Sequence, residues 1–202
     1  MGICYIVGAG DFNTPFTPEK TDLVIAADGG YDHLKKHGIR CDLLLGDLDS
    51  ISHIPSGIET VKFPVRKDET DAYLAYREGA KRGYTTFFIY GGTGGREDHT
   101  FANYCLLLYI KEHGGQGFLV SDKARISLIK NESVTLSGEA QKHLSLFPFG
   151  SSAYGVSIKG AEYECDSITL NPNFPLTVSN IFKDYPVNIE VKEGALLVME
   201  EI

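Results

Sequence analysis

The sequence predicts an α/β domain with a mostly parallel sheet, followed by an all-β domain. In residues 3–120, short apolar runs end in glycine or aspartate and alternate with stretches of helical spacing, a pattern typical of a parallel sheet with crossover helices. After residue 124, short strand-like runs alternate with turn residues, as in an antiparallel sandwich or barrel. The change of pattern predicts a domain boundary near residues 121–125.

Strands and helices alternate in the first domain. The predicted strands are 3–7, 23–27, 43–50, 60–63, 86–90 and 117–120. Helical spacing predicts helices over 31–37, 72–80 and 100–113. Gly38 is expected just after the first helix, where a residue in the left-handed conformation often ends a helix. Thr70 or Asp71 is expected to cap the second helix.

The second domain is predicted to contain short strands separated by turn residues. The strand-like runs are 126–129, 133–136, 143–147, 155–158, 167–170, 177–182, 187–191 and 195–199. Runs of this length and spacing are typical of antiparallel sheets.

Composition and charge exclude several classes of function. The 202 residues are 43% hydrophobic and carry a formal net charge of −8 without a basic stripe, which argues against nucleic acid as a partner. The four cysteines are scattered, with no C-x-x-C pair, and are expected to be reduced thiols of a cytoplasmic protein. No apolar run approaches the length of a membrane span and no signal peptide opens the sequence, so no membrane partner is expected.

Aspartates recur at the predicted strand ends and helix starts. They are Asp28, Asp47, Asp49, Asp68, Asp71 and Asp98. Because the carboxyl ends of parallel strands meet at one edge of a sheet, these side chains are expected to lie near one another. Carboxylate oxygens are the ligands that Mg²⁺ prefers, so the set predicts a magnesium–phosphate site. Plainer interpretations exist, since Asp47 and Asp49 also suit a turn and Asp71 also suits a helix cap.

A glycine-rich stretch follows the predicted strand 86–90. Residues 91–95 contain four glycines and are followed by Arg96, Asp98 and His99, so a phosphate could lie against the backbone at the start of the next helix. The stretch is not a Walker A loop, and residues 8–10 lack the third glycine of a dinucleotide-binding fingerprint. For His99 alone, a helix cap or a buried core histidine is the plainer interpretation.

Taken together, these motifs resemble those of the thiamine pyrophosphokinase family. In chain order they are Asp28-Gly29-Gly30, Gly46-Asp47-Leu48-Asp49-Ser50, Lys67-Asp68-Glu69-Thr70-Asp71 and residues 91–99. The second half is similar to the β-domain of that family at Ser145-Leu146-Phe147-Pro148, Gly155-Val156, Gly160-Ala161-Glu162-Tyr163 and Val178-Ser179-Asn180. One position departs from the family, which often has an acid after Ser-Asn, where this chain has Ile181.

The resemblance implies a two-domain enzyme that moves a pyrophosphoryl group from ATP to the hydroxyl of thiamine and releases AMP. It implies a Rossmann-like α/β domain over 1–122 that binds ATP and Mg²⁺. It also implies an all-β C-terminal domain over 123–202, a sandwich or jelly-roll-like fold, that binds thiamine. A homodimer with the active site near the subunit interface is expected.

The resemblance also implies roles for individual residues. Asp47, Asp49, Asp68 and Asp71 would surround Mg²⁺ and the triphosphate. The candidate catalytic acids are Asp71, Asp98 and Asp49, with Asp71 first and Asp98 second as acceptor of the hydroxyl proton. The candidate nucleotide-binding residues are Asp28, Lys67, Gly92, Gly94, Gly95, Arg96 and His99. Ser179 and Asn180 would hold thiamine, and since the chain has no tryptophan, a tyrosine or phenylalanine would stack on its pyrimidine ring.

Two other functions remain open from the sequence. A haloacid-dehalogenase-type phosphatase also has a strand-end Asp-x-Asp, but there the pair should follow the first strand, whereas Asp47 and Asp49 follow the third predicted strand. A nucleotide- or thiamine-binding sensor of the same fold is the non-enzymatic alternative. Formation of AMP that depends on ATP and Mg²⁺ separates a pyrophosphokinase from both.

Overall fold

The computed structural model of the protein describes residues 2–46, 57–63 and 68–202. They form two compact units, Met1–Asp122 and Lys123–Ile202. The first unit combines a parallel sheet with helices, and the second consists of strands. The predicted order of an α/β region and an all-β region is confirmed.

The described strands of the first unit form a parallel sheet. They are β1 (Cys4–Val7), β2 (Leu23–Ala27), β3 (Leu43–Gly46), β4 (Glu59–Lys62), β5 (Thr86–Tyr90) and β6 (Gln116–Val120). Neighbouring strands follow the order β6-β5-β1-β2-β3-β4, and each of these pairings is parallel. Strand order therefore reverses at β1, because β2 lies on one side of it and β5 on the other. The predicted third strand continues to residue 50, but residues 47–50 lie outside the described ranges.

Helices alternate with these strands along the chain: α1 (Gly30–Lys36), α2 (Asp71–Lys81) and α3 (Glu97–Glu112). The Thr70 hydroxyl accepts a hydrogen bond from the Tyr73 amide at 3.3 Å, so Thr70 is the cap of α2. Gly38 has φ +65° and donates its amide to the Lys35 carbonyl at 3.2 Å, which confirms its predicted place after α1. Within the described ranges, no helix has the length and apolar character needed to cross a membrane.

Helices cover both faces of this sheet, which explains why its strands are continuous apolar runs. On one face, alternate strand residues pack around Leu34 of α1, which is fully buried. On the other face, α2 lies so close that a Cβ on Gly79 would stand 2.7 Å from Cys4 Sγ and 2.9 Å from Phe87 Cε1. With both faces occupied, a ligand can approach this sheet only at the strand ends.

The segment between β1 and β2 packs on the face that α1 covers. The ring of Phe16 stacks on Tyr5 of β1, with ring centroids 4.2 Å apart. Arg40 anchors the far end of the segment, because its guanidinium donates to three carbonyls within residues 18–22. The first residues of the segment, 8–11, directly follow β1 and lie at the carboxyl ends of the strands.

The second unit contains two antiparallel sheets with a common core. Its strands are β7 (Ala124–Lys130), β8 (Ser133–Leu136), β9 (His143–Pro148), β10 (Ala153–Lys159), β11 (Cys165–Leu170), β12 (Asn180–Ile181), β13 (Val187–Glu190) and β14 (Ala195–Glu201). The strand orders within the unit are β12-β9-β14-β7 and β11-β10-β13-β8. Leu144 and Val198 of the first sheet share one apolar core with Val156 and Ile189 of the second.

The prediction of a strand over 177–182 is wrong in extent, because only Asn180–Ile181 is a strand there. Just before it, the Thr177 hydroxyl donates to the Leu146 carbonyl at 2.6 Å. Ser179 has φ +60°, which is outside the extended region that a strand ladder requires. Side-chain hydrogen bonds thus replace part of the expected ladder. The other predicted strands of this unit are confirmed with shifted ends.

Candidate active site

A cleft of about 350 Å³ lies at the carboxyl ends of β1, β2 and β5. It is formed by the connections that follow these strands and by the first turns of α2 and α3. In open α/β sheets, ligands bind at such an edge where the strand order reverses. The residues that line the cleft include Gly8, Gly10, Asp28, Asp71, Gly92, Gly95, Arg96, His99 and Asn103.

The connection after β1 is joined to the glycine-rich loop, residues 91–95. The amides of Gly8, Gly10 and Asp11 donate to carbonyls of residues 90–93, each at 2.8 Å. Because these three amides are already hydrogen-bonded, they do not offer donors to a phosphate. The connection after β1 instead holds the glycine-rich loop through these hydrogen bonds, and its Gly8 and Gly10 form part of the cleft wall.

The glycines of the loop have different surroundings. Gly94 has φ +80°, and a Cβ there would overlap the carboxylate of Asp11. Around Gly95, an added Cβ would meet nothing within 4 Å, so this position faces open space. The Gly92 carbonyl accepts a hydrogen bond from Asn103 Nδ2 at 2.8 Å. Gly94 therefore serves loop packing, and Gly95 leaves room for a ligand.

Asn103 of α3 belongs to the cleft although the sequence motifs do not include it. Its side chain is only 6% exposed, so its hydrogen bond to Gly92 fixes the glycine-rich loop to the helix. Asn103 lies four residues after His99 and therefore on the same face of α3. A polar residue at that spacing within the apolar part of a helix is the signal by which the sequence could identify it.

Asp28 follows β2 in a left-handed backbone conformation, with φ +46°. Its amide donates to the Leu45 carbonyl at 2.9 Å, and its carboxylate lies against the Cα of Gly46, where a side chain would overlap it. Non-glycine residues in this conformation are strained and concentrate at functional sites. Asp28 is half-buried and lines the cleft.

Asp71 is the first residue of α2, is half-buried and lines the cleft. The alternative that Asp71 caps this helix is wrong, because the capping oxygen belongs to Thr70. A carboxylate in the first turn remains favourable for the helix dipole. Its neighbours Thr70 and Ala72 also line the cleft, so the start of α2 forms part of the cleft wall.

Arg96 and Asp98 pair with each other at the start of α3. Arg96 donates to both carboxylate oxygens, from Nε to Oδ1 at 3.1 Å and from Nη2 to Oδ2 at 2.6 Å. The hydrogen bond from Arg96 lowers the pKa of Asp98, and a carboxylate with a lowered pKa is a weaker proton acceptor. Arg96 lines the cleft, whereas Asp98 lines a neighbouring cavity.

Asp68 lies with Asp98 rather than with the acids of the cleft. Both line the neighbouring cavity, which has a volume of about 450 Å³ and walls that come largely from α2 and α3. The described acids of the predicted site therefore divide between two cavities. Asp28 and Asp71 line the cleft, and Asp68 and Asp98 line the neighbouring cavity.

Three predicted site residues, Asp47, Asp49 and Lys67, lie outside the described ranges. Among residues 2–46, 57–63 and 68–202, no three His, Cys, Asp or Glu side chains are grouped as a metal site would require. The described acids alone therefore do not complete the predicted magnesium site.

His99 lines the cleft on the first turn of α3. It is exposed, so the interpretation as a core histidine is wrong. The cap position belongs to Arg96, and among the described residues no side chain caps this helix. The His99 amide already donates to Asp98 Oδ1 at 3.0 Å, so the imidazole of His99 and the remaining amides of the first turn of α3 are the hydrogen-bond donors for an anion at this end of the cleft.

Ser179 and Asn180 lie in the second unit and differ in exposure. Ser179 is exposed, and its amide donates to Ser145 Oγ at 3.0 Å. Asn180 is buried, with only 4% of its surface exposed. Its side-chain amide is hydrogen-bonded to the backbone of Tyr163 in both directions. Ser179 thus presents its hydroxyl at the surface, whereas Asn180 holds a neighbouring loop.

Two family models match the chain. The thiamin pyrophosphokinase catalytic domain matches residues 17–117, and the thiamin pyrophosphokinase vitamin B1 binding domain matches residues 126–196. The chain belongs to the thiamine pyrophosphokinase family. Members of this family are pyrophosphotransferases with ATP as co-substrate. The phosphatase alternative is therefore wrong.

A curated relative and several solved structures agree with this membership. The thiamine pyrophosphokinase of Bacillus subtilis (strain 168) is 26% identical over 174 residues, which cover 83% of this chain and 81% of that protein. A crystal structure of thiamine pyrophosphokinase from Bacillus subtilis matches with a TM-score of 0.89 at 21% identity, covering 98% of both chains. Yeast thiamin pyrophosphokinase matches with a TM-score of 0.79 at 15% identity, covering 100% of this chain and 86% of that one. At such identities the structural likeness shows the shared fold.

Proposed function

We propose that this chain transfers a pyrophosphoryl group from ATP to the hydroxyl of thiamine, giving thiamine diphosphate and AMP. One observation carries the proposal: the glycine-rich loop, the first turn of α3 and the acids Asp28 and Asp71 meet in a single cleft at the reversal of strand order. Phosphoryl-type transfer needs positioning and charge stabilisation more than a covalent protein intermediate. The cleft offers donors for phosphates and carboxylates for a metal ion.

The nucleotide side of the proposed site is the glycine-rich loop with α3. Gly95, around which an added Cβ would meet nothing within 4 Å, leaves room for the phosphates, while Gly94 keeps the loop packed on Asp11. Gly92 lines the cleft and belongs to the same proposed nucleotide-binding set. Arg96 and His99 supply donors at the start of α3, and Arg96 reaches a phosphate by exchanging its contact with Asp98. Asp28 and Lys67 complete the proposed nucleotide-binding set.

We assign the metal to Asp47, Asp49, Asp68 and Asp71. The described part of this set fits Mg²⁺ in donor type, because carboxylates supply the oxygen ligands that hard cations prefer. Asp71 lines the cleft and Asp68 the neighbouring cavity, and the two cavities adjoin at Thr70, which lines both. When bound, Mg²⁺ would offset the charge of the triphosphate at the β-phosphorus. Asp49 counts among the catalytic acids in this assignment because it would bind the metal beside the reacting phosphate.

In the proposed step, a carboxylate of this chain accepts the proton that the thiamine hydroxyl loses. The hydroxyl oxygen of thiamine bonds to the β-phosphorus of ATP, and the bond from that phosphorus to the α,β-bridging oxygen breaks, so AMP leaves. The hydroxyl proton passes to Asp71, the acid at the start of α2 in the cleft. Asp98 is the second candidate, and its ion pair with Arg96 would have to open first.

The wider organisation belongs to the same proposal. Residues 1–122 form the catalytic domain, of Rossmann-like type, and residues 123–202 form the vitamin-binding domain, a sandwich or jelly-roll-like fold. Exposed apolar side chains such as Phe174, Leu176 and Val178 support a homodimer with the active site near the subunit interface. The free cysteines support a cytoplasmic location.

Formation of AMP by the purified protein tests the proposal. We expect AMP and thiamine diphosphate in equal amounts when thiamine, ATP and Mg²⁺ are all present, and neither product when thiamine is left out. Replacing Mg²⁺ with a chelator should stop the reaction, and adding Mg²⁺ back should restore it. Tight thiamine binding in calorimetry without AMP formation would instead indicate a sensor.

A further inference from the structure

The side-chain amide of Asn103 is bonded to the protein at one end only. Asn103 lines the cleft and is 6% exposed, and its Nδ2 donates to the Gly92 carbonyl at 2.8 Å. Because a carbonyl oxygen only accepts hydrogen bonds, this contact fixes which end of the amide faces Gly92. Among the residues that the structure describes, no donor is hydrogen-bonded to the other end, Oδ1.

This oxygen can be reached from the cleft. Within the described ranges, His37 Nε2 is the one fully enclosed side-chain nitrogen or oxygen that lacks a hydrogen bond. Asn103 Oδ1 lacks one too, so it is not fully enclosed, and the cleft is the cavity that Asn103 lines. A nearly buried acceptor without a protein partner is destabilising, and it therefore favours a ligand that carries a donor.

Packing around Gly92 holds the Asn103 amide in position. A Cβ added to Gly92 would stand 2.5 Å from Leu119 Cδ1, 2.9 Å from Asn103 Nδ2 and 3.3 Å from Ile89 Cγ2, so the glycine fits closely between these side chains. The amide of Asn103 cannot turn away without breaking its bond to the Gly92 carbonyl. A fixed acceptor distinguishes sharply between ligands that carry a matching donor and ligands that lack it.

The position of Asn103 suits the nucleoside part of ATP better than its phosphates. Asn103 lies four residues after His99 on α3, which places it about 6 Å further from the start of the helix. An ionised phosphate carries only acceptors, so it cannot pair with Oδ1. Apolar side chains also line the cleft, among them Ala27, Ala72 and Ile89, and apolar walls with a few polar groups are typical of sites that bind rings.

We propose that Asn103 is a specificity-determining residue of the nucleotide site, whose Oδ1 accepts a hydrogen bond from a donor on the nucleoside part of ATP. Two kinds of group in ATP can supply this donor: the exocyclic amine of adenine and a hydroxyl of the ribose. The inference rests on the proposed function and makes its nucleotide side more specific. It gives Asn103 a role in choosing the nucleotide, in addition to its contact with Gly92.

Three ATP analogues test which donor pairs with Oδ1 in the wild-type protein. Purine riboside triphosphate lacks the exocyclic amine, and the 2′-deoxy and 3′-deoxy analogues of ATP each lack one hydroxyl. In calorimetry with Mg²⁺, the analogue that lacks the pairing donor should bind about tenfold or more weakly than ATP, because it leaves Oδ1 unsatisfied. Equal affinity for ATP and for all three analogues would overturn the inference, since Oδ1 would then meet only water.

Two variants of Asn103 assign the discrimination to Oδ1. Asn103→Leu removes the acceptor at similar volume, so the ratio of affinities between ATP and the discriminated analogue should fall to near one. Asn103→Asp keeps an acceptor but loses the donor to Gly92, so every nucleotide should bind more weakly while the ratio is retained. A ratio that persists in Asn103→Leu, or that disappears in Asn103→Asp, would overturn the inference.

Gly94→Ala is the matched control for the shape of the loop. A Cβ at Gly94 would overlap the Asp11 carboxylate, so the variant disturbs the loop and leaves the Asn103 side chain in place. It should weaken ATP and the analogues by the same factor, and loss of the ratio in this variant would also overturn the inference.

The wild-type measurements separate failure of this inference from failure of the proposed function. A wild type that forms AMP from ATP and thiamine but binds ATP and all three analogues equally would overturn the inference alone. A wild type that neither binds ATP nor forms AMP would overturn the proposed function.

Discussion

Among the residues that the structure describes, Asp28 and Asp71 are the two acids that line the cleft, and they are held there in different ways. Asp28 occupies the left-handed backbone region with φ +46°, which costs on the order of 1 kcal/mol or more for a non-glycine residue. Asp71 begins a helix whose capping bond is made by Thr70. Strained non-glycine residues concentrate at functional sites, and both carboxylates line the cleft, which favours functional roles for both.

Asp71→Asn should lower turnover by roughly 100-fold or more, because the amide neither accepts the hydroxyl proton nor binds a metal ion as well. Steady-state AMP formation measures this. Asp32→Asn is the matched control, since Asp32 also lies in the first turn of a helix, α1, and does not line the cleft. Near-normal turnover in Asp71→Asn would restrict Asp71 to a structural role in α2.

Ser179→Ala should raise the thiamine KM more than the ATP KM. The Ser179 hydroxyl is exposed, whereas its amide is already bonded to Ser145 Oγ at 3.0 Å, so the substitution removes a surface donor and leaves the loop anchored. Initial rates with each substrate varied in turn give both constants. Equal rises in the two would exclude Ser179 from the vitamin site.

The sequence predicts some, but not all, of the residues that line the cleft. Asp28, Asp71 and His99 were predictable because each follows a strand or begins a helix at the sheet edge. The pairing of Arg96 with Asp98 was not, since opposite charges two residues apart can point in many directions until the helix start fixes them. Asn103 was missed because its role depends on the loop that it contacts.

At the level of elements, the joined loops after β1 and β5 support the proposed phosphate site. The amides of Gly8, Gly10 and Asp11 hold the carbonyls of residues 90–93, so the shape of the glycine-rich loop depends on a second, distant part of the chain. The sequence predicts both turns, because glycines after apolar strands are a local signal. It does not predict their hydrogen bonds, which depend on the pairing of β1 with β5.

Gly94→Ala should raise the ATP KM and lower the thermal stability. A methyl group there would overlap the Asp11 carboxylate, and φ +80° is strained for alanine. Gly83→Ala is the matched control, because Gly83 has φ +87° and nothing within 4 Å of an added Cβ. The control should lose about 1 kcal/mol of stability and keep its ATP KM. An ATP KM in Gly94→Ala equal to that in Gly83→Ala would show that the packing of Gly94 on Asp11 does not shape the nucleotide site.

The accuracy of the strand predictions differed between the two units for a physical reason. Parallel strands covered on both faces are apolar throughout, so β1, β2 and β5 stand out in the sequence. In the second unit, residues 177–182 have the composition of a strand. The Thr177 hydroxyl, however, donates to the Leu146 carbonyl, and the Ser179 amide donates to Ser145 Oγ. Composition does not reveal that competition.

For the whole molecule, an acidic protein with a formal net charge of −8 is proposed to bind a triphosphate, which is itself an anion. The two carboxylates of the cleft oppose such a ligand unless a cation lies between them. Metal dependence of ATP binding is therefore an expected property of the enzyme as a whole, even though Asp47 and Asp49 lie outside the described residues.

Thiol modification at pH 8 should distinguish the cysteines by burial. Burial raises the pKa of Cys4 to about 12 and that of Cys41 to about 11, and only thiolates react quickly. Cys105 is exposed and should react first, so Cys105→Ser should remove the fast phase in a thiol-reagent titration. Cys4 should react only after denaturation. Fast labelling of Cys4 in the native enzyme would contradict the packing of α2 on β1.

The hydrogen bonds between the two loops have a consequence for how nucleotide binding can be observed. Segments joined in this way open together, so their amide hydrogens should exchange with deuterated solvent as one cooperative group. A nucleotide on the glycine-rich loop should therefore slow exchange at Gly8, Gly10 and Asp11, whose amides point to carbonyls of residues 90–93 and not to the ligand. Asp11 does not line the cleft, so slower exchange of its amide would report nucleotide binding through the hydrogen bond to Thr93.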